Sequence, residues 1–402
     1  MLASVPETSS IRLNWTERPV LARSLPQVEI DLLRRGLSRQ PHSPALLQAL
    51  GLALLSDGQY AESATVLASA TVAEPTVDGF HGLGRALKAA GNTAAARDAF
   101  EQALRIAPHS ASVLVSLARV LRALGDDDGA LQAARRGLDA GPLRSDLLEF
   151  LARVLPRAGR AEELLDAAEH ALAVDAGHTA AWYGRAVALA ALDRHDDAAR
   201  IMDRRLVRVA DVQPPHPWTD LAAFCADLQQ HIIANPTLQY EPHDKSTRHG
   251  LQTRELMAGQ PAALVALLSA FRVEVEQYVA QCREWQIPCS VVTPPARVQM
   301  HAWATVLDAA GHQETHIHRA GWVSGVYYVT DGGAASGRGV LRVPTSPRGT
   351  DDSRDWPCED IEPRVGRLVL FPSYFPHRTV PTGTTQPRIS VAFDVVAVGA
   401  QA

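Results

Sequence analysis

A pair of adjacent residues returns about every 34 positions through the first half of this 402-residue chain, and no other feature restricts its fold so strongly. The pairs are Leu50-Gly51, Leu83-Gly84, Leu117-Ala118, Leu151-Ala152 and Arg185-Ala186, so the second member recurs at intervals of 33, 34, 34 and 34. Other positions keep phase with it. Seven residues after each pair stands a turn former: Gly58, Gly91, Gly125, Gly159 or Asp193. Twelve residues after it stands Ser63, Ala96, Ala130, Leu164 or Ala198, and Pro41, Pro75, Pro108 and Pro142 close several units. A fixed period of this length is the mark of one supersecondary unit stacked on copies of itself. Small residues at two positions let paired antiparallel helices approach closely. Glycine permits the tight turn between them, and proline ends the second helix. The period predicts an α-solenoid over residues 27–210, preceded by an extension over 1–26, with Gln27 to Gln40 as a leading half-unit that caps the array.

This pattern resembles the tetratricopeptide repeat. The likeness is strongest over 77–143, good over 44–76 and 144–178, and weaker over 179–210. It implies a concave surface that holds a peptide or protein partner. The plainer alternative is a helical scaffold.

Composition excludes several classes. Hydrophobic residues make up 46% and charged residues 21%, an ordinary globular balance that excludes general disorder. The net charge of −5 argues against a chain devoted to coating nucleic acid. No run of about 18 apolar residues is present, so no membrane span is expected. The N-terminus has no basic stretch followed by an apolar core, so no secretory signal is expected. The four cysteines form no CxxC pair, which speaks against a disulfide framework or a structural zinc site. The expectation is a soluble cytoplasmic protein.

The pattern changes near residue 211. Residues 211–216 read as a linker, and a second domain is expected over 217–402, with helices near 217–234 and 261–285. Between those helices, Asn235 to Gly259 reads as polar and turn-rich. Beyond Ala296 the chain turns to short β-rich runs: Arg297 to Leu307, Trp322 to Thr330, Gly339 to Val343, Arg367 to Phe371 and Arg388 to Val398. Such runs, separated by glycine, proline and charged turns, predict a barrel or sandwich.

One constellation here carries chemistry. His316 and His318 flank Ile317 just before the run Trp322 to Val329; in an extended chain both imidazoles share a face and can chelate one divalent metal. His377 follows the strand-like Gly366 to Ser373, and Arg388 and Ser390 lie on the last run. The segments HIHRAGWVSGVYYV (316–329), GRLVLFPSYFPHRTVP (366–381) and RISVAFD (388–394) together resemble the iron(II)- and 2-oxoglutarate-dependent oxygenases. The closer match is an oxygenase family found behind tetratricopeptide repeats in bacteria.

The resemblance implies an α+β multidomain protein, with the solenoid followed by a double-stranded β-helix, or jelly roll, and flanking helices. It implies Fe(II), 2-oxoglutarate and O2. By motif position His316 and His377 are the two histidine ligands, and His318 occupies the usual carboxylate position. Arg388 pairs with the distal carboxylate of 2-oxoglutarate, with Ser390 and Tyr328 as further donors. A competing pair, His312 with Glu314, has the spacing of a histidine and a carboxylate and stays open, although the block before it, Asp308 to Gly311, reads as a turn. Trp303, Trp322 and Phe371 read as core or rim, Asp126 to Asp128 as a helix start with its cap, and 331–339 as a loop at the mouth of the site. Three functions suit this pairing of domains: an oxygenase hydroxylating a peptide or protein side chain presented by the array, the same chemistry on a small molecule, or a scaffold whose oxygenase domain has lost activity.

Overall fold

A computed structural model describes residues 11–17, 26–141, 144–242, 245–254, 256–257, 260–333, 335–346 and 356–399. Its helices pair as the period predicts: α1 (Pro26–Arg39), then α2 (Pro44–Asp57) with α3 (Tyr60–Ala73), α4 (Val77–Ala89) with α5 (Thr93–Ile106), and α6 (Ala111–Ala123) with α7 (Asp127–Ala140). α8 (Ser145–Val154), α9 (Ala161–Val174), α10 (Thr179–Ala191) and α11 (His195–Ile201) continue the series. The phased positions do what their chemistry suggests. Gly58, Gly91, Gly125 and Gly159 sit in the left-handed region with φ of 87, 84, 83 and 68°, and Asp193 joins them at 58°. A Cβ on Gly51 would lie 2.4 Å from Leu67, and one on Gly84 would lie 2.4 Å from Phe100. Ser63 turns the same close approach into a hydrogen bond, its hydroxyl donating to the Gly51 carbonyl at 2.7 Å. Asp126 caps α7 by accepting from the Gly129 amide at 2.9 Å. Pro41, Pro75 and Pro108 each follow a helix end; Pro142 lies outside the described residues.

The remaining elements are β1 (Arg208–Asp211), α12 (Leu221–Ile233), β2 (Leu238–Tyr240), β3 (Thr247–Thr253), α13 (Ala262–Trp285), β4 (Val298–Gln313), β5 (Gly321–Tyr328), β6 (Leu341–Val343), β7 (Glu359–Ile361), β8 (Arg367–Pro372), β9 (Arg378–Thr379) and β10 (Arg388–Ala397). Two antiparallel sheets result, one in the order β1-β8-β5-β10-β4-β3-β2 and one in the order β7-β6-β9. β10 lies at the heart of the larger sheet, between β5 and β4. Its alternation is plain: Ile389, Val391, Phe393 and Val395 are buried and apolar, and Phe393 stacks on Phe271 of α13 with centroids 4.4 Å apart. Arg388, Ser390, Ala392 and Asp394 therefore share the opposite face.

By contact the described chain falls into two compact units. One holds α1–α8, up to Arg157; the other holds residues 11–17 and everything from Ala158 on. The helices α9–α11 thus belong by packing to the sheet unit, although their sequence keeps the repeat period. Among the described residues no helix is long and apolar enough to cross a membrane.

Two local readings are corrected. Asn235 to Gly259 is not only turns, since it contains β2 and β3. Their polar residues are held by bonding rather than apolar burial: Thr247 donates its hydroxyl to Gln252 Oε1 at 2.8 Å, and Thr253 Oγ1 accepts from the Ala304 amide at 2.9 Å. The expected turn at Asp308 to Gly311 lies inside β4 as an irregularity in its pairing with β3, where the register passes from Gly250↔Leu307 to Arg248↔His312.

Candidate metal centre

Backbone pairing brings the histidines together before any side chain is considered. His316 and His377 form an antiparallel bridge, each amide donating to the other's carbonyl at 3.1 and 3.0 Å. The His318 amide donates to the Ser373 carbonyl at 3.0 Å. The three rings converge, with centroid separations of 5.0, 4.3 and 4.8 Å. One ligand atom from each lies within 4.8 Å of the others.

Each ring has its Nδ1 engaged, and the Ser246 hydroxyl also stands 3.3 Å from His316 Nε2. His316 Nδ1 lies 2.7 Å from the Glu314 carbonyl, and His377 Nδ1 lies 2.9 Å from that of Phe375. A carbonyl only accepts, so both Nδ1 atoms carry the proton and both Nε2 atoms present a lone pair. His318 Nδ1 meets the Asp394 carboxylate and the Ser324 hydroxyl. The His316 and His318 Nε2 atoms stand 3.1 Å apart. Two nitrogens bound about 2.1 Å from one ion at a right angle would stand about 3.0 Å apart. Burial and the neighbouring imidazoles hold His377 well below the usual imidazole range, which keeps it in the neutral form a metal requires.

A small open-mouthed cavity adjoins the trio, lined among others by Trp303, Tyr328, Phe371, Arg388 and Ser390. The register explains this lining. Ser390 pairs with Tyr328 on one side and Thr305 on the other, and Ala392 pairs with Val326 and Trp303. Trp303 and Phe371, read from sequence as core or rim, tilt against His318 and His377 at 5.4 and 4.7 Å. Trp322 is core, its indole donating to the Ser290 carbonyl.

Arg388 lines the cavity and is 1% exposed. Its Nη1 donates to the carbonyls of Gly339 and Val380, while its Nη2 is buried with no partner among the described residues. Burial draws its pKa down. The Tyr328 hydroxyl is likewise buried and unpartnered, its pKa pushed up to about 12 by burial against the pull of Arg388, so it remains a donor. A buried guanidinium nitrogen and a buried hydroxyl, both with unspent protons, suit a carboxylate ligand. Ser390 is already engaged, its hydroxyl 2.8 Å from that of Thr305. The glycine-rich loop after β5 lies against Arg388, since a Cβ on Gly332 would sit 3.1 Å from Arg388 Cβ.

The competing pair is placed differently. Glu314 holds an ion pair with Arg248 at 2.7 Å, and His312 turns its Nδ1 to the Ala310 carbonyl at 3.0 Å on an exposed stretch. Sequence reasoning missed Asp394, Ser324 and Ser373, the polar groups behind His318. The signal was present: Asp394 continues the alternate-residue row of Arg388 and Ser390.

Comparison with known proteins adds two family matches. Residues 301–394 match the family described as "Putative 2OG-Fe(II) oxygenase", and residues 81–145 match the tetratricopeptide repeat. The chain therefore combines a tetratricopeptide-type repeat region with a domain of the 2OG-Fe(II) oxygenase kind. No curated protein matches it. Among solved structures it is similar to YrrB, described as a repeat protein with an unusual peptide-binding site, at 18% identity, with 44% of this chain and 92% of that chain covered and a TM-score of 0.37. It is also similar to a Pseudomonas putida prolyl-4-hydroxylase, at 18% identity, 49% and 96% coverage and a TM-score of 0.34. A thermophilic repeat protein of Thermus thermophilus is similar at 21% identity, 41% and 90% coverage and a TM-score of 0.34.

Proposed function

We propose that this chain is an iron(II)- and 2-oxoglutarate-dependent dioxygenase that hydroxylates a peptide or protein side chain presented by its repeat array. In this reading the array spans 27–210 and the jelly-roll oxygenase domain 217–402. The observation that carries it is the convergence of three imidazoles beside a cavity lined by two buried donors with unspent protons. His316, His318 and His377 would hold the iron through Nε2. Arg388 and Tyr328 would bind the distal carboxylate of 2-oxoglutarate, and Ser390, tied to Thr305, would line its path. Bound iron, with 2-oxoglutarate and O2, supplies the oxidising chemistry of this enzyme class.

The chain's own residues do the rest. Backbone carbonyls and Asp394 fix the tautomer of each ligand ring. Trp303 and Phe371 pack against the His318 and His377 rings, line the cavity beside them and would limit water there. A repeat array joined to such a site would raise the local concentration of a bound polypeptide near the metal; this supports a large substrate over a small one.

The test is an anaerobic titration of the metal-free protein with iron(II) and 2-oxoglutarate, following the visible charge-transfer band of the chelate. A band lost in His377→Ala supports the reading. A folded protein that binds iron and 2-oxoglutarate yet never develops the band would refute it.

A further inference from the structure

Three neutral imidazoles bring no negative charge to a dication, whereas a directly bound carboxylate would bring one. Here the carboxylate stands one residue further out. Asp394 Oδ1 accepts from His318 Nδ1, the nitrogen across the ring from Nε2. Both side chains are largely enclosed, 15% and 10% exposed. The contact is built in from several sides. Asp394 and Ser324 are register partners across β10 and β5. Ser324 Oγ lies 2.7 Å from Asp394 Oδ1, 2.9 Å from His318 Nδ1 and 2.7 Å from Ser373 Oγ. The carboxylate is thus held by the strand pair and a hydroxyl chain. The carbonyls that accept from Nδ1 of His316 and His377, by contrast, are neutral.

We infer that Asp394 is the charge-supplying positioning residue of this centre. Through His318 it aims Nε2 at the metal and supplies the negative charge that a ligating carboxylate would otherwise bring. The inference rests on the iron reading given above. A carboxylate behind a ligating histidine fixes its ring and raises its basicity, and loss of such a partner costs roughly 10- to 100-fold in metal affinity.

The experiment measures iron(II) dissociation constants of the full chain anaerobically, without 2-oxoglutarate, by competition with a chromogenic chelator. Wild type is compared with Asp394→Asn, His318→Asp, the double variant and His377→Ala, each checked for folding by circular dichroism. Asparagine keeps the volume and one acceptor oxygen of Asp394, removes its charge and exchanges its second oxygen for an amide NH2. The expected loss in Asp394→Asn is roughly 10- to 100-fold. In the His318→Asp background the sign reverses: a carboxylate now at 318 faces Asp394 as a like charge, so the double variant binds at least as tightly as His318→Asp alone. Equal losses in both backgrounds would reduce Asp394 to structural support and overturn the inference. So would wild-type affinity in Asp394→Asn while His377→Ala loses iron, which leaves the iron reading standing. Wild-type affinity in His377→Ala would overturn the iron reading itself, and this inference with it.

Discussion

Replacing Arg388 by lysine tests the proposed co-substrate site with a magnitude the structure sets. Arg388 begins β10 fully enclosed, and its Nη1 is committed to the carbonyls of Gly339 and Val380. Only the Nη2 side remains for a ligand carboxylate. Co-substrate binding should therefore draw on about one charge-assisted hydrogen bond from this residue, not a full two-bond fork. Lysine keeps the charge but carries a single ammonium, which cannot hold both carbonyls and a carboxylate together. The expected loss is about 1.5–3 kcal/mol for one hydrogen bond to a charged group. At about 1.36 kcal/mol per tenfold this is roughly a 10- to 150-fold rise in the 2-oxoglutarate dissociation constant. Alanine is a poorer probe, because it strands two enclosed carbonyls and opens a cavity at once. The assay is an anaerobic 2-oxoglutarate titration at saturating iron(II), with iron affinity measured separately. Iron affinity should not change, since the hydrogen bonds of Arg388 go to Gly339 and Val380 and not to the three histidines. Unchanged 2-oxoglutarate affinity in an Arg388→Lys protein that melts like wild type would remove Arg388 from the co-substrate site.

Four further outcomes are expected. His316→Ala and His318→Ala should each abolish or sharply weaken iron binding, whereas Glu314→Ala, which breaks the ion pair with Arg248, should leave it intact; an iron titration giving the reverse order would restore the competing ligand pair. Gly84→Ala should destabilise the repeat region by about 1–3 kcal/mol, because its Cβ would meet the buried Phe100 ring, and thermal melting reads the loss. His81 is held below its usual pKa of 6.5, chiefly by burial, and the unfolded chain therefore binds the proton first; its stability contribution is complete above pH 6.5 and falls away as pH drops below it. Denaturant melts across that range should show the decline, and His81→Gln should flatten it. Thr179→Val should lower the melting temperature, with a cost of about 1–3 kcal/mol for the Gly321 carbonyl it leaves without its hydroxyl donor.

Much of this architecture can be read from the sequence, for a physical reason. A repeat writes the same steric demand many times, so Gly58, Gly91, Gly125 and Gly159 announce their left-handed turns together. His316 and His377 stand out because motif and spacing coincide. What stays hidden depends on partners far away in sequence. Strand β3 carries no apolar run, and its polar residues are satisfied by β4 and by one another. Tyr328 comes beside Ser390, two residues from Arg388, only once β5 and β10 have taken their register. Asp394 falls on the alternate-residue row of Arg388 and Ser390, but what it does there shows only once Ser324 and His318 are brought beside it. The segment around Leu13 and Trp15 gives no signal at all, yet both donate to Glu276 of α13, and Trp15 bridges Val298 at the start of β4.

The helices α9–α11 answer to two descriptions, and both are correct. Their sequence repeats with the array, but their side chains support the loops that carry the candidate metal ligands. Thr179 of α10 donates to the Gly321 carbonyl at 2.5 Å, and the Gly321 amide closes back on the His318 carbonyl at 2.9 Å. Trp182, one turn along α10, stacks on Tyr374 with centroids 5.7 Å apart. Tyr374 stands three residues before His377, and its hydroxyl donates to the Ile201 carbonyl at the end of α11. The loop after His318 and the loop before His377 are thus braced by one helical pair. Removing residues 1–210 would strip that brace as well as the repeats before it, so lost activity in such a truncation could not separate presentation of a substrate from support of the metal loops. Altering the array upstream of Ala158 while keeping α9–α11 separates them. If the array presents a polypeptide, such changes should raise the KM for that polypeptide and leave 2-oxoglutarate turnover without it unchanged.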